Sequence, residues 1–483
     1  MSDNLKKRST VAFVWDFAGT FVRQGSGFVI SIILARLLEP AQFGLIGMAM
    51  VFISISQVFV DVGFSSALIQ NKDNTNLTYN SIFYLNVVAG LFLTLLFYFL
   101  APFIGAFYEN SQITDIVRWL SLMFVFNSFG LVQQAILRRK LNFRILTLRM
   151  IAAGIIGGVA GVIAAFLGLG VYSLVIQHLT IALVGTALLW ATSGWRPELQ
   201  FSREEVNKLL GFSSFVFFDR FISKIFKRLD ILFIGKLFSP ASLGFYTRAL
   251  SLKDQVTKYS SSTLTKVFFP ILSSIRDNKD EYCRIYFKVL SVVSFLSFGL
   301  TGILYILGPD IIVFLYGKKW MPSIQIFQIL ILAAGNYPIS AMIVSSFLSK
   351  GKSKQNFYIG LFRKSFLIIP FYFGYIYGLY EFTIALVILN YFLTITNILF
   401  AGSFVGLSIR KHFVKILEGL FPLVMLIVVY SLLDPSLPWI RILLTLGYVV
   451  FYLLFNYLVK SEGLPFVWNN VVKIKDKIIT AIR

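Results

Sequence analysis

Cysteine, histidine and acidic residues are scarce in this sequence, and each shortage excludes a kind of function. A single cysteine, Cys283, is present among the 483 residues, which excludes an internal disulfide bond. The two histidines, His178 and His412, lie far apart in the chain, so a metal site built from them is not expected. Asp and Glu number 22 against 44 Lys and Arg, which leaves a net charge of +22 at pH 7. Such an excess is also found in nucleic-acid-binding proteins, so the positions of the charges must decide its meaning.

Charged residues of both signs make up only 14% of the chain, whereas 57% of it is hydrophobic and 17% aromatic. This composition lies far outside that of soluble globular domains and is typical of a polytopic membrane protein. No signal-peptide cleavage site follows residues 1–8, so the first helix is expected to remain as a membrane anchor. Apolar runs of about 20 residues predict an all-α protein with fourteen transmembrane helices. They lie near residues 11–36, 41–64, 79–103, 112–136, 145–167, 169–191, 207–236, 241–272, 285–316, 322–348, 355–378, 380–406, 413–433 and 437–459.

Lysine and arginine are concentrated in every second loop of this predicted topology. The loops and termini on one side of the membrane carry 27 of them, and the loops on the other side carry 5. Because the cytoplasmic side carries the excess of positive charge, both termini are predicted to lie in the cytoplasm. The same pattern explains the basic composition without nucleic acid. It also predicts that residues 461–483 form a basic amphipathic tail on the anionic inner leaflet, in contact with membrane lipids.

The predicted loops are short, and none of them carries a catalytic motif. The longest, near residues 192–206, is too small to be a catalytic domain, so any reaction would have to take place within the membrane. We find no nucleophile with its base, no metal-binding cluster and no glycine-rich phosphate loop in the sequence. The protein is therefore not predicted to be an enzyme.

A weak internal repeat appears when the chain is compared with itself at an offset of 200 residues. Residues 33–45, ILARLLEPAQFGL, align with residues 233–245, FIGKLFSPASLGF. An offset of six helices returns the chain to the same side of the membrane, so the copies are predicted to be related by an axis along the membrane normal. The identical pairs are Leu37/Leu237, Pro40/Pro240, Ala41/Ala241 and Gly44/Gly244. The resulting domains are a six-helix lobe at residues 1–200, a second lobe at 201–406, an added helix pair at 407–460 and the tail at 461–483, with a cavity between the lobes.

The stretch from Leu209 to Lys236 is long enough to cross a bilayer, yet six charges interrupt it. On one continuous helix these charges share one half of the circumference, and phenylalanine, isoleucine and leucine occupy the other half. A charge exposed to hydrocarbon costs at least about 2.5–3.5 kcal/mol, so the charged side is expected to face protein or a water-filled cavity. The six residues are Asp219, Arg220, Lys224, Lys227, Arg228 and Asp230.

Other predicted helices carry polar stripes that would line the same cavity. The helix near residues 11–36 has a polar face, and the helix near 241–272 carries cations and amides along one row. Carboxylates in these helices are too few to neutralise the cations, and the surplus predicts an anionic substrate. The predicted substrate-binding cations are Arg23, Arg220, Lys224, Lys227, Arg228, Arg248, Lys258 and Arg363, and the predicted polar neighbours are Gln24, Gln255 and Asn390.

Three segments resemble the polysaccharide-transport branch of the multidrug/oligosaccharidyl-lipid/polysaccharide (MOP) exporter superfamily. They are residues 34–70, LARLLEPAQFGLIGMAMVFISISQVFVDVGFSSALIQ, residues 137–143, LRRKLNF, and residues 314–320, FLYGKKW. The similarity extends over nearly the whole chain. Within that branch the chain is similar to the repeat-unit flippases of the colanic-acid and teichuronic-acid type.

This resemblance implies two six-helix lobes in a V around a hydrophilic cavity, in the cytoplasmic (inner) membrane of a bacterium. It implies transfer of an undecaprenyl-diphosphate-linked oligosaccharide from the inner to the outer leaflet, for surface polysaccharide synthesis, with no cofactor. It also implies contact with a polysaccharide polymerase and with chain-length machinery. Arg23 occupies the place of a functional arginine in the first helix of such flippases. Some members couple transport to Na⁺ or H⁺ through carboxylates, for which the candidates here are Asp16, Asp61 and Asp230.

Two alternative functions remain open at this point. A drug or cation antiporter of the same superfamily would need carboxylates and aromatic residues in its cavity, and the surplus of lysine and arginine argues against it. A membrane-embedded glycosyltransferase or polymerase would need a sizeable outer loop or paired carboxylates at one leaflet, and neither is seen.

Overall fold

Helices form the described part of the chain throughout. The computed structural model describes residue 19 and residues 22–71, 73–435 and 437–468, apart from the side chains of residues 258–267. No strand occurs among these residues, which confirms the predicted all-α class. The helices are α1 (22–37), α2 (Pro40–Ser56), α3 (Val58–Asp61), α4 (Phe64–Gln70), α5 (Asn76–Phe107), α6 (Ser111–Ser128), α7 (Leu131–Arg139), α8 (Phe143–Phe166), α9 (Tyr172–Thr192), α10 (Arg203–Phe226), α11 (Leu229–Leu237), α12 (Pro240–Ser274), α13 (Lys279–Tyr316), α14 (Ser323–Ser349), α15 (Ser353–Ser365), α16 (Ile368–Tyr377), α17 (Leu379–Val405), α18 (Ile409–Leu433) and α19 (Pro438–Leu458).

The chain is a multi-pass membrane protein. Ten helical segments of the described residues are long and apolar enough to cross a membrane, and the bent pair of α6 and α7 is an eleventh candidate. The charged helices α10 and α12 are not among the ten. Each predicted segment within the described residues falls on a helix or on helices separated by a short break. The count of fourteen transmembrane helices stays a prediction.

The prediction of one continuous helix through residues 209–236 is wrong. The chain forms two helices here, α10 and α11, and the residues between them are Lys227 and Arg228. Arg228 has left the helical region, with φ −123° and ψ 0°. Lys224 lies three and four residues before these two cations, and like charges at those spacings repel each other on a helix surface. Because α10 ends at Phe226 and α11 begins at Leu229, the charges of the stretch do not share one continuous helical face.

By compactness the chain divides into two units, residues 1–247 and 248–483. In the first unit α5 packs against α6, and α8 packs against α9. The glycines of α8 allow the second contact, because a Cβ atom at Gly161 would lie 3.1 Å from the Ser173 carbonyl oxygen and 2.9 Å from the Gln177 side chain. This boundary falls inside α12, and the lobe boundaries that the repeat predicts stay a prediction.

In the first unit the two copies of the repeat contact each other reciprocally through their identical residues. A Cβ atom on Gly44 would lie 1.7 Å from the Pro240 carbonyl oxygen, and one on Gly244 would lie 2.0 Å from the Pro40 carbonyl oxygen. Only glycine permits so close an approach of backbone to backbone. The same contact therefore occurs twice, once between Gly44 and Pro240 and once between Gly244 and Pro40. This explains why the proline and the glycine are identical in the two copies of the repeat.

An ion pair lies close in sequence to this contact. The Lys236 ammonium donates to the Glu109 carboxylate at 2.7 Å and lies 5.4 Å from the centre of the Phe107 ring. Its hydrogen bond and charge hold the pKa of the Glu109 carboxyl below its usual value. Because that pKa is lowered, the stabilisation from the ion pair is present above the ordinary carboxyl range and is lost as the pH falls through the lowered pKa.

In the second unit α13 is the helix on which α19 is anchored. The Tyr448 hydroxyl donates to the Phe298 carbonyl oxygen at 3.1 Å, and the Tyr452 hydroxyl donates to the Phe295 carbonyl oxygen at 2.7 Å. Near the start of α19, Arg441 donates to both carboxylate oxygens of Asp310, at 2.8 and 2.7 Å. The last helix, α19, is therefore joined to α13 by polar bonds as well as by packing.

Arg441→Ala is expected to destabilise the protein by about 2 kcal/mol. This is less than the loss of a fully buried pair, because the side chain of Asp310 is 32% exposed while that of Arg441 is 10% exposed. Thermal unfolding of the detergent-purified protein measures the effect. Arg284→Ala is the matched control, since Arg284 and Glu281 are 3.9 Å apart and exposed. An equal shift of the two midpoints would contradict the assignment of Arg441 as an anchor.

Candidate functional site

The structure brings two of the predicted site residues into direct contact. Arg220 of α10 donates from Nη1 to Oδ2 of Asp61 at 3.1 Å, and from Nη2 to the Ser66 hydroxyl at 2.6 Å. The other carboxylate oxygen of Asp61 accepts hydrogen bonds from the Ser65 amide at 2.8 Å and the Ser65 hydroxyl at 2.6 Å. A predicted coupling carboxylate and a predicted substrate cation are thus joined in one ion pair.

The backbone between α3 and α4 positions this pair. Val62 and Gly63 both take positive φ, 45° and 81°, and turn the chain so that Ser65 follows Asp61 at hydrogen-bond distance. A Cβ atom on Gly63 would lie 2.5 Å from the Ser213 carbonyl oxygen of α10. Glycine is therefore required at position 63, both for its conformation and for the close approach of α10. We call Val58–Gln70 the α3–α4 elbow.

Aromatic residues support the same contact. The Phe59 ring lies 5.0 Å from the ring of Phe217 and 5.1 Å from the ring of Phe221, centre to centre, with edge-to-face geometry in both cases. Phe217 and Phe221 stack on each other at 5.7 Å. Arg220 lies between these two residues in sequence, so packing of α10 on the elbow sets where its guanidinium can reach.

Three further cations follow Arg220 and have no carboxylate partner among the described residues. Lys224 and Lys227 are exposed, and Arg228 is half-buried. Asp219, the carboxylate beside Arg220 in sequence, is also exposed and makes no ion pair with a described residue. The end of α10 and the break after it therefore carry uncompensated positive charge, as the sequence predicts.

The other predicted residues of the first unit have different surroundings. Arg23 in α1 is exposed, and its Nη1 contacts the sulfur of Met150 at 3.3 Å. Asp230 in α11 accepts a hydrogen bond from the Tyr246 hydroxyl at 2.9 Å. The side-chain oxygen of Gln24 is buried and has no hydrogen-bond partner among the described residues. Asp16 lies outside the described residues.

In the second unit the predicted polar residues belong to α12, α15 and α17. Arg363 donates to the Asn397 side-chain oxygen at 3.3 Å. Asn390 accepts a hydrogen bond from the buried Asn336 amide at 2.8 Å, which joins α14 to α17. Arg248 and Gln255 are half-buried in α12, and the buried side-chain oxygen of Gln255 has no hydrogen-bond partner among the described residues. The side chain of Lys258 lies outside the described residues.

Sequence reasoning missed Ser65, Ser66 and Tyr246, which bind the predicted charged residues. Ser65 could have been found, because a serine four residues after an aspartate and just past a glycine is a common partner for the carboxylate. Ser66 and Tyr246 gave no such signal, since hydroxyl residues are frequent in membrane helices and their partners depend on the fold.

The fold is shared with two kinds of solved transporter. A structure of the lipid II flippase MurJ in an inward closed conformation matches 92% of this chain and 98% of its own, with a TM-score of 0.72 and 17% sequence identity. An inward-facing multidrug resistance MATE family transporter of the MOP superfamily matches 80% of this chain and 96% of its own, with a TM-score of 0.62 and 15% identity. The chain therefore has the fold of these two solved transporters.

Sequence comparison identifies the family of the chain. The family described as polysaccharide biosynthesis protein matches residues 33–325, and the chain belongs to that family. The lipopolysaccharide biosynthesis protein WzxC of Escherichia coli (strain K12) is 24% identical over 369 residues, covering 76% of this chain and 75% of WzxC. The teichuronic acid biosynthesis protein TuaB of Bacillus subtilis (strain 168) is 24% identical over 343 residues, covering 68% of this chain and 71% of TuaB. The predicted resemblance to the polysaccharide-transport branch is confirmed.

Proposed function

We propose that this protein is a flippase that moves undecaprenyl-diphosphate-linked oligosaccharide units from the inner to the outer leaflet of a bacterial cytoplasmic membrane. The observation that carries the proposal is the uncompensated positive charge at the end of α10, where Lys224 and Lys227 are exposed and have no carboxylate partner in the part of the chain that the structure describes. Cations held at membrane depth are stable when they face water or an anionic ligand. A lipid diphosphate supplies such a ligand.

The chemistry of α10 suits this headgroup. A diphosphate offers several oxygen acceptors, and hydrogen bonds between charged groups are about twice as strong as those between neutral groups. The planar guanidinium of Arg220 can donate two parallel bonds to one phosphate, while the ammonium of Lys224 acts as a point charge on the other. We expect the cations Arg23, Arg228, Arg248, Lys258 and Arg363 to face the same hydrophilic cavity, with the polyprenyl tail remaining in lipid.

The topology belongs to the same proposal. We infer fourteen transmembrane helices, as two six-helix lobes at residues 1–200 and 201–406 and a helix pair at 407–460, with both termini in the cytoplasm. Transport would follow alternating access, in which one lobe rocks against the other. The product would be handed to a polysaccharide polymerase at the outer leaflet, with its chain-length machinery.

The fold alone does not separate this function from export of drugs by a cation antiporter, since a MATE transporter shares it. The charges of the first unit do separate them. Asp61 is already bound by Arg220, and the cations beyond it have no carboxylate partner among the described residues. A site of this kind repels a cationic drug and attracts an anion.

A strain that lacks this protein is expected to accumulate undecaprenyl-diphosphate-linked repeat units on the cytoplasmic side of its membrane and to lose the surface polysaccharide. Extraction of lipid-linked oligosaccharides followed by mass spectrometry measures the first effect. Re-expression of the intact chain is the control and should restore export. Normal surface polysaccharide without accumulated repeat units would contradict the proposed function.

A further inference from the structure

We propose that the ion pair between Asp61 and Arg220 is a substrate-sensitive switch. In this inference the lipid diphosphate takes Arg220 from Asp61, and α10 is then free to leave the α3–α4 elbow. The inference rests on the proposed function, because it takes the diphosphate as the anion that α10 binds. It makes Asp61 a positioning residue that acts through Arg220, in place of a site for a coupling ion.

The two side chains of the ion pair differ in their exposure, so a ligand can reach one of them more easily than the other. The side chain of Arg220 is 42% exposed, whereas that of Asp61 is 12% exposed. A guanidinium has five N–H donors in a fixed fork, and the bonds to Asp61 and Ser66 leave several of them for another acceptor. An approaching phosphate therefore meets Arg220 directly and competes with Asp61 for it.

Asp61 can stay ionised when Arg220 leaves. A buried carboxylate without donors is costly, and breaking an ion pair usually leaves one behind. Here the Ser65 amide and the Ser65 hydroxyl still donate to the carboxylate, at 2.8 and 2.6 Å. These two bonds lie within the elbow and do not involve α10. The elbow can therefore keep its own structure while the arginine changes partner.

Release of Arg220 would change how α10 is held. Among the described residues, the hydrogen bonds from α10 to the elbow all come from Arg220, to Asp61 and Ser66. The other contacts are packing contacts, namely the aromatic packing of Phe59, the close approach of Gly63 to the Ser213 carbonyl, and the apolar cluster of α10 and α4 residues Val206, Leu209, Phe64, Ala67 and Leu68. Apolar packing is non-directional, whereas charge-assisted hydrogen bonds are short and depend on the orientation of both groups. Occupancy of the site by diphosphate would thereby loosen α10.

The next cation along α10 fits this exchange. Lys224 follows Arg220 by four residues, so both side chains lie on one face of the helix. Lys224 is exposed and has no carboxylate partner among the described residues. A diphosphate with one phosphate on Lys224 would bring the second within reach of Arg220, and the lysine supplies the initial attraction.

The test compares Asp61→Asn with Asp219→Asn in the full-length protein purified in detergent. The probe is undecaprenyl diphosphate, with its Kd measured by microscale thermophoresis and its transport measured in proteoliposomes. If Asp61 competes with the ligand, Asp61→Asn should bind the probe about tenfold more tightly, and its transport rate at saturating substrate should fall. Asp219→Asn removes the same charge from an exposed, unpaired position and should change the Kd little.

Ser65→Ala provides a second variant that alters no charge. It removes one of the two donors that support Asp61 after release, so the probe is expected to bind several-fold more weakly. Unchanged or weaker binding by Asp61→Asn would overturn the switch, and so would an equal gain of affinity in Asp61→Asn and Asp219→Asn. If the unaltered protein does not bind undecaprenyl diphosphate, the proposed headgroup is wrong and the switch falls with it.

Discussion

Replacing both Arg220 and Lys224 with alanine is expected to abolish transport while leaving the protein inserted in the membrane. Each residue is expected to supply a charge-assisted hydrogen bond to the diphosphate, and a bond of this kind contributes about 1.5–3 kcal/mol. The loss of two therefore predicts a fall of roughly a hundredfold or more in transport rate. Transport of lipid-linked oligosaccharide in proteoliposomes measures the rate, and quantitative immunoblotting of membranes measures insertion.

The matched control for this pair is the double variant Arg203→Ala and Lys208→Ala. These cations belong to the first turns of the same helix, and Lys208 is bound to Glu204 and Glu205 at 3.2 and 2.7 Å. The control removes the same charge from α10 without touching the proposed site, so transport should stay within about twofold of the unaltered protein. Full activity of the Arg220 and Lys224 double variant would refute the assignment of α10.

Valine at Gly44 or at Gly244 is expected to lower the amount of correctly folded protein strongly, and to reduce transport more than tenfold. A Cβ atom at either position would lie within 2.0 Å of a proline carbonyl oxygen, and that oxygen belongs to backbone that cannot rotate away. Overpacking of this kind costs about 1–3 kcal/mol even where side chains can shift. Size-exclusion chromatography of the fluorescently tagged protein measures folding.

Gly47→Ala is the control for the Cβ atom that all of these variants add, and it places that atom three residues further along α2. There the new Cβ atom would meet the Leu243 side chain at 3.4 Å, which is an ordinary van der Waals distance. Gly47→Ala should therefore fold like the unaltered protein. If Gly44→Val or Gly244→Val gave the same yield and transport as this control, the reciprocal contact would have no structural role.

Much of the helical layout could be predicted from the sequence, because long apolar runs are required wherever a backbone crosses lipid. The breaks inside those runs could not be predicted in the same way. Hydropathy treats Lys227 and Arg228 as two polar residues in an apolar run, whereas in the structure α10 ends before them and α11 begins after them. The feature of the sequence that coincides with this break is the group of three cations at positions 224, 227 and 228.

The candidate site was predictable in its charge but not in its pairing. The surplus of cations on α10 follows from the residues at positions 209–236, and Arg220 and Asp61 were both singled out from the sequence. Their contact joins residues 159 positions apart, and no periodicity relates them. The repeat was informative to a similar extent. It aligned Pro40 and Gly44 with Pro240 and Gly244, but it did not indicate that Gly44 packs against Pro240 and Gly244 against Pro40.

We propose that this chain carries a lipid-linked oligosaccharide across the bilayer by binding its diphosphate. The most direct measurement uses proteoliposomes in which fluorescent undecaprenyl-diphosphate-linked oligosaccharide is placed in one leaflet and its appearance in the other is followed by a membrane-impermeant quencher. We predict transfer by the unaltered protein, competition by undecaprenyl diphosphate and none by undecaprenol. Transfer no faster than in protein-free liposomes would contradict the account.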